Sequence, residues 1–255
     1  MKKVLGALAI ASVTLAPAAY ADIAGFEVGA YQWTPDYTGT ISSDSGSVLG
    51  SSIDIQNDLG FDDDSHNVIW ASLEHPVPFL PNIKVVSSDL DNAASSTLTR
   101  EIVFGGETYS VNEAVSTTFD TSNTEFTFYY EILDNWINLD LGLTLRKYDG
   151  EVRLVTPATG SNLNEFEELD FTLPLLYASG RIDLPFTGFF IDGQLNIISY
   201  DDDSVSDTSI AFGYESDWGL GAKAGYRMFD LDVEEDSFKG DLEFDGAYIS
   251  VFYHF

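Results

Sequence analysis

The chain has 255 residues, 42 acidic against 11 basic side chains, a formal charge of −31 and no cysteine. Such a balance argues against nucleic acid as a partner, because phosphates demand basic patches. The missing cysteines exclude a disulfide framework, thiol chemistry and a lipoprotein anchor. The acidic surplus attracts cations in general and reads first as adaptation to a salty medium, where screening makes self-repulsion tolerable.

The first segment, "MKKVLGALAIASVTLAPAAYAD", has Lys2 and Lys3, an apolar run from Val4 to Ala16, and Ala19-Tyr20-Ala21. A charged head, a short apolar stretch and a small-x-small site predict a signal peptide over 1–21. The run is shorter than the ~20 residues of a spanning helix. Its removal leaves 9 basic and 42 acidic residues, a charge of −33. Residues 22–255 contain no linker, fixed repeat or amphipathic helix, and predict one all-β domain.

Ten strands are expected near 25–34, 67–75, 81–90, 123–133, 136–148, 168–183, 188–200, 207–215, 219–233 and 242–255, rich in aromatic and β-branched residues. Their connections alternate. Links 35–66, 91–122 and 149–167 are long and acidic, and "DDDSVS" and "EEDSFKGD" are polar. Between them come "PVPFL", "DN", "LPFT" and "SDW", all tight. An up-and-down antiparallel barrel in an outer membrane, with both termini in the periplasm, requires short turns on one side and longer loops on the other.

The strand faces agree. Ile137, Leu139, Leu141, Leu143 and Leu145 form one stripe, opposite Asn138, Asp140, Gly142, Thr144 and Arg146. Phe126, Phe128, Tyr130 and Ile132 alternate with Glu125, Thr127, Tyr129 and Glu131, and Leu220, Ala222, Ala224, Tyr226 and Met228 with Lys223 and Arg227. About ten residues of apolar-out, polar-in alternation suit a tilted membrane strand. Pro174 inside "FTLPLLYASGRIDL" predicts a bulge or irregular stretch. The last strand, "GAYISVFYHF", must close on the first, since no backbone group can stay unpaired in lipid. Val251, Tyr253 and Phe255 lie on its apolar face, and an aromatic terminus with this alternation resembles the signal by which such barrels are recognised for insertion.

The stretches "EHPVPFLPNIK", "YYEILDNWINLDLGLT", "RIDLPFTG", "GYESDWGLGAKAGYR" and "GAYISVFYHF" are similar to a family of small outer-membrane β-barrel proteins of Gram-negative bacteria. The resemblance runs through most of the chain beyond residue 21, excluding the long acidic loops. It implies a fold and a location, and no activity, because no catalytic or binding residues carry over.

Candidate chemistry is sparse. His254 and Glu27 are expected to meet in the lumen at the periplasmic end, as a hydrogen-bonded structural pair rather than a proton relay. His75 reads as a turn residue. His66 follows "FDDDS"; outer-membrane proteases of the omptin type also have ten strands and use acidic residues with a histidine at the extracellular rim. Asp62, Asp63 or Asp64 beside His66 would suit activation of water, but no omptin motif is present and a solvated acidic loop is the preferred reading. No Gly-x-Ser-x-Gly elbow occurs. "FGGE" at 104–107 reads as a turn, within a small hairpin of "REIVF" and "TYSVN". The acidic runs 62–64, 201–203 and 234–236 carry hard oxygen donors, for which weak, diffuse divalent-cation association is expected without a defined metal site. Glu27, Glu74, Glu131, Asp140 and Asp192 should point inward with Lys84, Arg146, Lys223 and Arg227, and pair there.

The expectation is therefore a monomeric, non-enzymatic envelope barrel of about ten strands, without a cofactor, its lumen largely plugged. A narrow cation-preferring channel is the alternative and an omptin-like rim hydrolase the third reading. Expected partners are outer-membrane lipid and lipopolysaccharide, the barrel-assembly machinery and divalent cations.

Overall fold

The protein, known from a computed structural model, is described at residues 25–255 apart from 78, 158–161, 202 and 236. The expected signal peptide lies outside the described residues. In chain order the strands are β1 (Phe26–Ser43), β2 (Ile53–Asp54), β3 (His66–Leu73), β4 (Asn82–Asp89), β5 (Asp91–Thr97), β6 (Ile102–Phe104), β7 (Glu107–Tyr109), β8 (Ala114–Asp120), β9 (Asn123–Leu133), β10 (Ile137–Tyr148), β11 (Gly150–Val155), β12 (Asn164–Leu169), β13 (Thr172–Asp183), β14 (Phe189–Tyr200), β15 (Asp203–Glu215), β16 (Leu220–Glu235) and β17 (Phe238–His254).

Ten of them form an antiparallel barrel, in the order β1, β3, β4, β9, β10, β13, β14, β15, β16, β17. The barrel closes where β17 pairs with β1, from Glu27↔His254 to Ser43↔Phe238. Closure leaves no open edge in lipid, as a membrane barrel requires. The expected stripes face outward: Phe126, Phe128, Tyr130, Ile132, Leu141, Leu143, Leu145, Ile249 and Val251 are all exposed. At the closing seam Phe26 and Tyr253 each pack a ring against Phe255.

The strands begin and end close to where the sequence puts them, with one systematic difference. β1, β15, β16 and β17 continue past the expected limits, and β1 alone runs 18 residues. About 9–11 residues span a membrane, so this wall rises well beyond it. Along β17 the chemistry of the faces inverts. Ala247, Ile249 and Val251 point outward and Tyr248 and Ser250 inward; further from the terminus Asp241 and Glu243 point outward and Leu242 and Phe244 inward. Period two continues, while the outward medium changes from lipid to water.

Links 35–66, 91–122 and 149–167 are not the plain loops expected. The first continues β1 and then folds back through β2. The other two supply an outer four-stranded sheet, ordered β12-β11-β8-β5. The expected hairpin is present as β6 and β7, turned by Gly105 and Gly106 at φ of 60° and 88°, a left-handed conformation that glycine adopts without steric cost. Inward residues of these segments bury a core with Phe244 of β17: Tyr37, Ile53, Phe61, Phe104, Tyr109, Phe119 and Leu154.

Pro174 sits in regular β13, opposite Leu145. The β13–β14 ladder stops at Leu176↔Ile197, just short of it, so the irregularity there is an ended ladder. The register shift lies in the β9–β10 pair, between Leu139 and Asp140. At the opposite end from the outer sheet, each tight turn exposes one aromatic: Phe79, Trp136, Phe186 and Trp218. Phe79 and Phe186 hold positive φ, 70° and 65°, a costly conformation for a bulky residue.

Candidate functional site

The lumen has two levels. The lower one, at the tight-turn end, is a cavity of about 420 Å³. Alternate residues of neighbouring strands line it because lumen-facing positions recur at period two. Of the expected charge network, Glu27, Glu74, Glu131, Asp140, Asp192, Lys84, Lys223 and Arg227 all border it. Arg146 does not; it is fully buried one level higher. Arg181, Glu125, Asp207 and Glu215 also line the cavity and were not among the candidates; Arg181, Glu125 and Glu215 each stand beside an apolar residue in a period-two strand, whereas Asp207 lies between Ser206 and Thr208.

Among the described residues, ten carboxylates border the cavity against four Lys and Arg side chains. The cations are accounted for. Lys223 bonds Asp192 at 2.5 Å, and Arg181 bonds Asp183 at 2.9 Å and Glu215 at 2.8 Å. Lys84 donates to Gln194 Oε1 at 2.6 Å, its ammonium 5.3 Å from the centre of the Trp70 ring. His254 stands opposite Glu27 in register, but its Nδ1 contacts Glu215 Oε1 at 3.3 Å. The expected hydrogen-bonded pair with Glu27 is thus replaced by one with a residue of β15; Gly221, opposite Glu215 on the intervening strand, has no side chain to separate them. His75 braces its turn as expected, through Nε2 and the Pro81 carbonyl at 3.1 Å.

The upper level is closed by ion pairs. Arg227 forks onto Asp207, Nε to Oδ1 at 2.9 Å and Nη2 to Oδ2 at 2.7 Å. Arg146 bonds the same carboxylate and also Glu125, at 2.8 Å. Thr127, Thr144 and Asn196 continue a buried chain of hydrogen bonds at the same level, each 2.8 Å. Buried charges persist only when paired in this way. Above them the rings of Phe61, Phe119, Tyr37, Phe244 and Phe229 contact one another in sequence.

His66 belongs to that aromatic layer rather than to a rim. It is buried, bonded to the Tyr37 hydroxyl, whereas Asp62, Asp63 and Asp64 are exposed. Among the described residues no group of three or more His, Asp or Glu side chains is arranged to hold a metal ion. Residues 202 and 236, within two of the acidic runs, lie outside the described residues.

No family model matches the chain, and no curated protein matches it in sequence. Solved structures do match in shape. The outer membrane protease OmpT from Escherichia coli aligns over 91% of this chain and 97% of its own, with a TM-score of 0.54 and 9% identity. The fold is that of a Gram-negative outer-membrane β-barrel. A Pseudomonas aeruginosa FadL homologue covers 91% of this chain and 90% of its own, with a TM-score of 0.38 and 8% identity. The Pseudomonas putida toluene transporter TodX covers 91% and 90%, with a TM-score of 0.33 and 12% identity. At such identities the likeness concerns the fold alone.

Proposed function

We propose that this protein is a non-enzymatic component of the outer membrane, a plugged barrel that presents a folded acidic surface outside the cell. One observation carries the reading. Arg146, fully buried, ties Glu125 to Asp207 across the lumen beneath an aromatic core, where a conducting barrel would keep a wet path. Ten strands enclose little more than side chains can fill. The outer sheet, with Asp91, Asp120, Glu151 and Glu168 in one cross-strand row, suits divalent cations and the lipopolysaccharide they bridge. Val251, Tyr253 and Phe255 serve as the insertion signal for the assembly machinery, and the barrel works as a monomer after loss of its signal peptide.

Single-channel recording of the refolded protein in a planar bilayer tests this. A silent membrane is expected, with a heat-shifted gel band confirming the fold. Reproducible cation-selective steps, altered by Asp140→Asn, would instead establish the channel reading, which the acidic lower cavity favours.

A further inference from the structure

The lower cavity has more carboxylates in its wall than cations among the described residues, and Glu74 and Asp140 belong to that surplus. Glu74 and Asp140 take part in no ion pair among the described residues. Glu74 Oε1 accepts a hydrogen bond from the Tyr129 hydroxyl at 3.0 Å. Asp140 lies directly opposite Glu131 across the β9–β10 pair, a like-charge juxtaposition that costs stability. The register shift beside Asp140 is the kind of irregularity that re-aims a side chain near functional sites. Asn138 Oδ1, two residues away in the cavity wall, accepts no hydrogen bond among the described residues.

This corner is also aromatic. The rings of Tyr129 and Tyr177 lie 5.9 Å apart, both in the cavity wall. Elsewhere in the lumen the protein shows how it accommodates a cation beside such a ring. Lys84 lies over Trp70 at 5.3 Å, Arg181 over Phe190 at 3.8 Å and Arg227 over Trp33 at 4.5 Å. Cation over ring with an acceptor alongside is the rule for these three. The Tyr129–Tyr177 corner has the rings and the carboxylates, and among the described residues no Lys or Arg stacks on either ring or forms an ion pair with Glu74 or Asp140.

We propose that the periplasm-facing cavity binds an organic cation, whose ammonium group docks between Glu74 and Asp140 against the faces of Tyr129 and Tyr177. The inference rests on the plugged reading, because a dead-ended cavity retains a ligand that a through-pore would pass. The combination favours an amine over a metal ion. Aromatic faces reward a weakly hydrated ammonium, whereas a hard cation requires several oxygens converging at short distance.

The test is calorimetric titration of the refolded protein with spermidine at physiological ionic strength. One saturable site per chain is expected. Glu74→Gln and Asp140→Asn should each weaken it at least tenfold, Tyr177→Leu severalfold, and a control replacing Asp62 and Asp63 by Asn should leave it unchanged. Both single carboxamide variants should melt at or above the parent temperature, because each removes unneutralised charge; if one fails to fold, the other carries the test. Absence of saturable binding, wild-type affinity in both variants, or displacement of spermidine by equimolar magnesium chloride would overturn the proposal. Conductance separates this failure from failure of the plug: a silent barrel that ignores spermidine refutes only the ligand, whereas a conducting one refutes the closure.

Discussion

Arg146 shows how a single residue closes the lumen. Its guanidinium lies between Glu125 and Asp207, both buried, so truncation leaves two carboxylates in a confined interior. Arg146→Ala should therefore cost about 3–5 kcal/mol, read as a lower denaturant midpoint for loss of the heat-shifted band. Asp91 in β5 gives a pH signature. Burial, then the charges of Asp120 and Asp89, raise its carboxyl above the ordinary 3.8. The folded protein therefore holds this proton more tightly than the unfolded chain, and stability falls as pH rises from about 3.8 through the raised value. Asp91→Asn should raise the melting temperature at pH 7, and the gain should vanish below the ordinary value, which melts at a series of pH values would show. At this scale the sequence was partly legible. Period two points Arg146 and Arg227 inward, yet their shared partner Asp207 comes from β15, and no local pattern gives the register between β10 and β15. The same limit separated His254 from its partner Glu215.

β17 carries the clearest element-scale record. Its outward residues change from Asp241 and Glu243 to Ala247, Ile249 and Val251, so the outer boundary of the membrane falls near Asp245. Ile249→Arg should destabilise the folded barrel by about 2–4 kcal/mol, as a cation on the lipid face near mid-membrane does. Asp241→Arg, on the same face in water, should change stability little; paired unfolding titrations in lipid vesicles would compare them. Membrane strands were legible because lipid forces strict apolar-out alternation. The outer sheet was not: β5, "DNAASST", has no large apolar residue, and β12, "NEFEEL", reads as an acidic loop. Such strands acquire a buried side only when β8 and β11 lie beside them.

Over the whole molecule, polar cavity, ion-pair layer, aromatic layer and acidic sheet are stacked along one axis. Phe119 joins the sheet to the barrel, its ring contacting Phe61 and Phe244. Phe119→Ala should cost about 3–5 kcal/mol and open the outer sheet to proteinase K, while the membrane-protected fragment persists. A barrel melting as one unit, with no earlier cleavage of the sheet, would show the two to be inseparable. The sequence by itself determined the barrel, its ten strands, its tight-turn end and the inward sense of its charges. Each of these follows from a local rule: period two, turn chemistry, and the absence of water in lipid. Only the tertiary structure decided which charges pair, where the lumen closes, and that the acidic links fold into a sheet over an aromatic core. Those outcomes depend on residues tens to hundreds of positions apart being brought to the same height by the barrel's register, which exists only once it has closed.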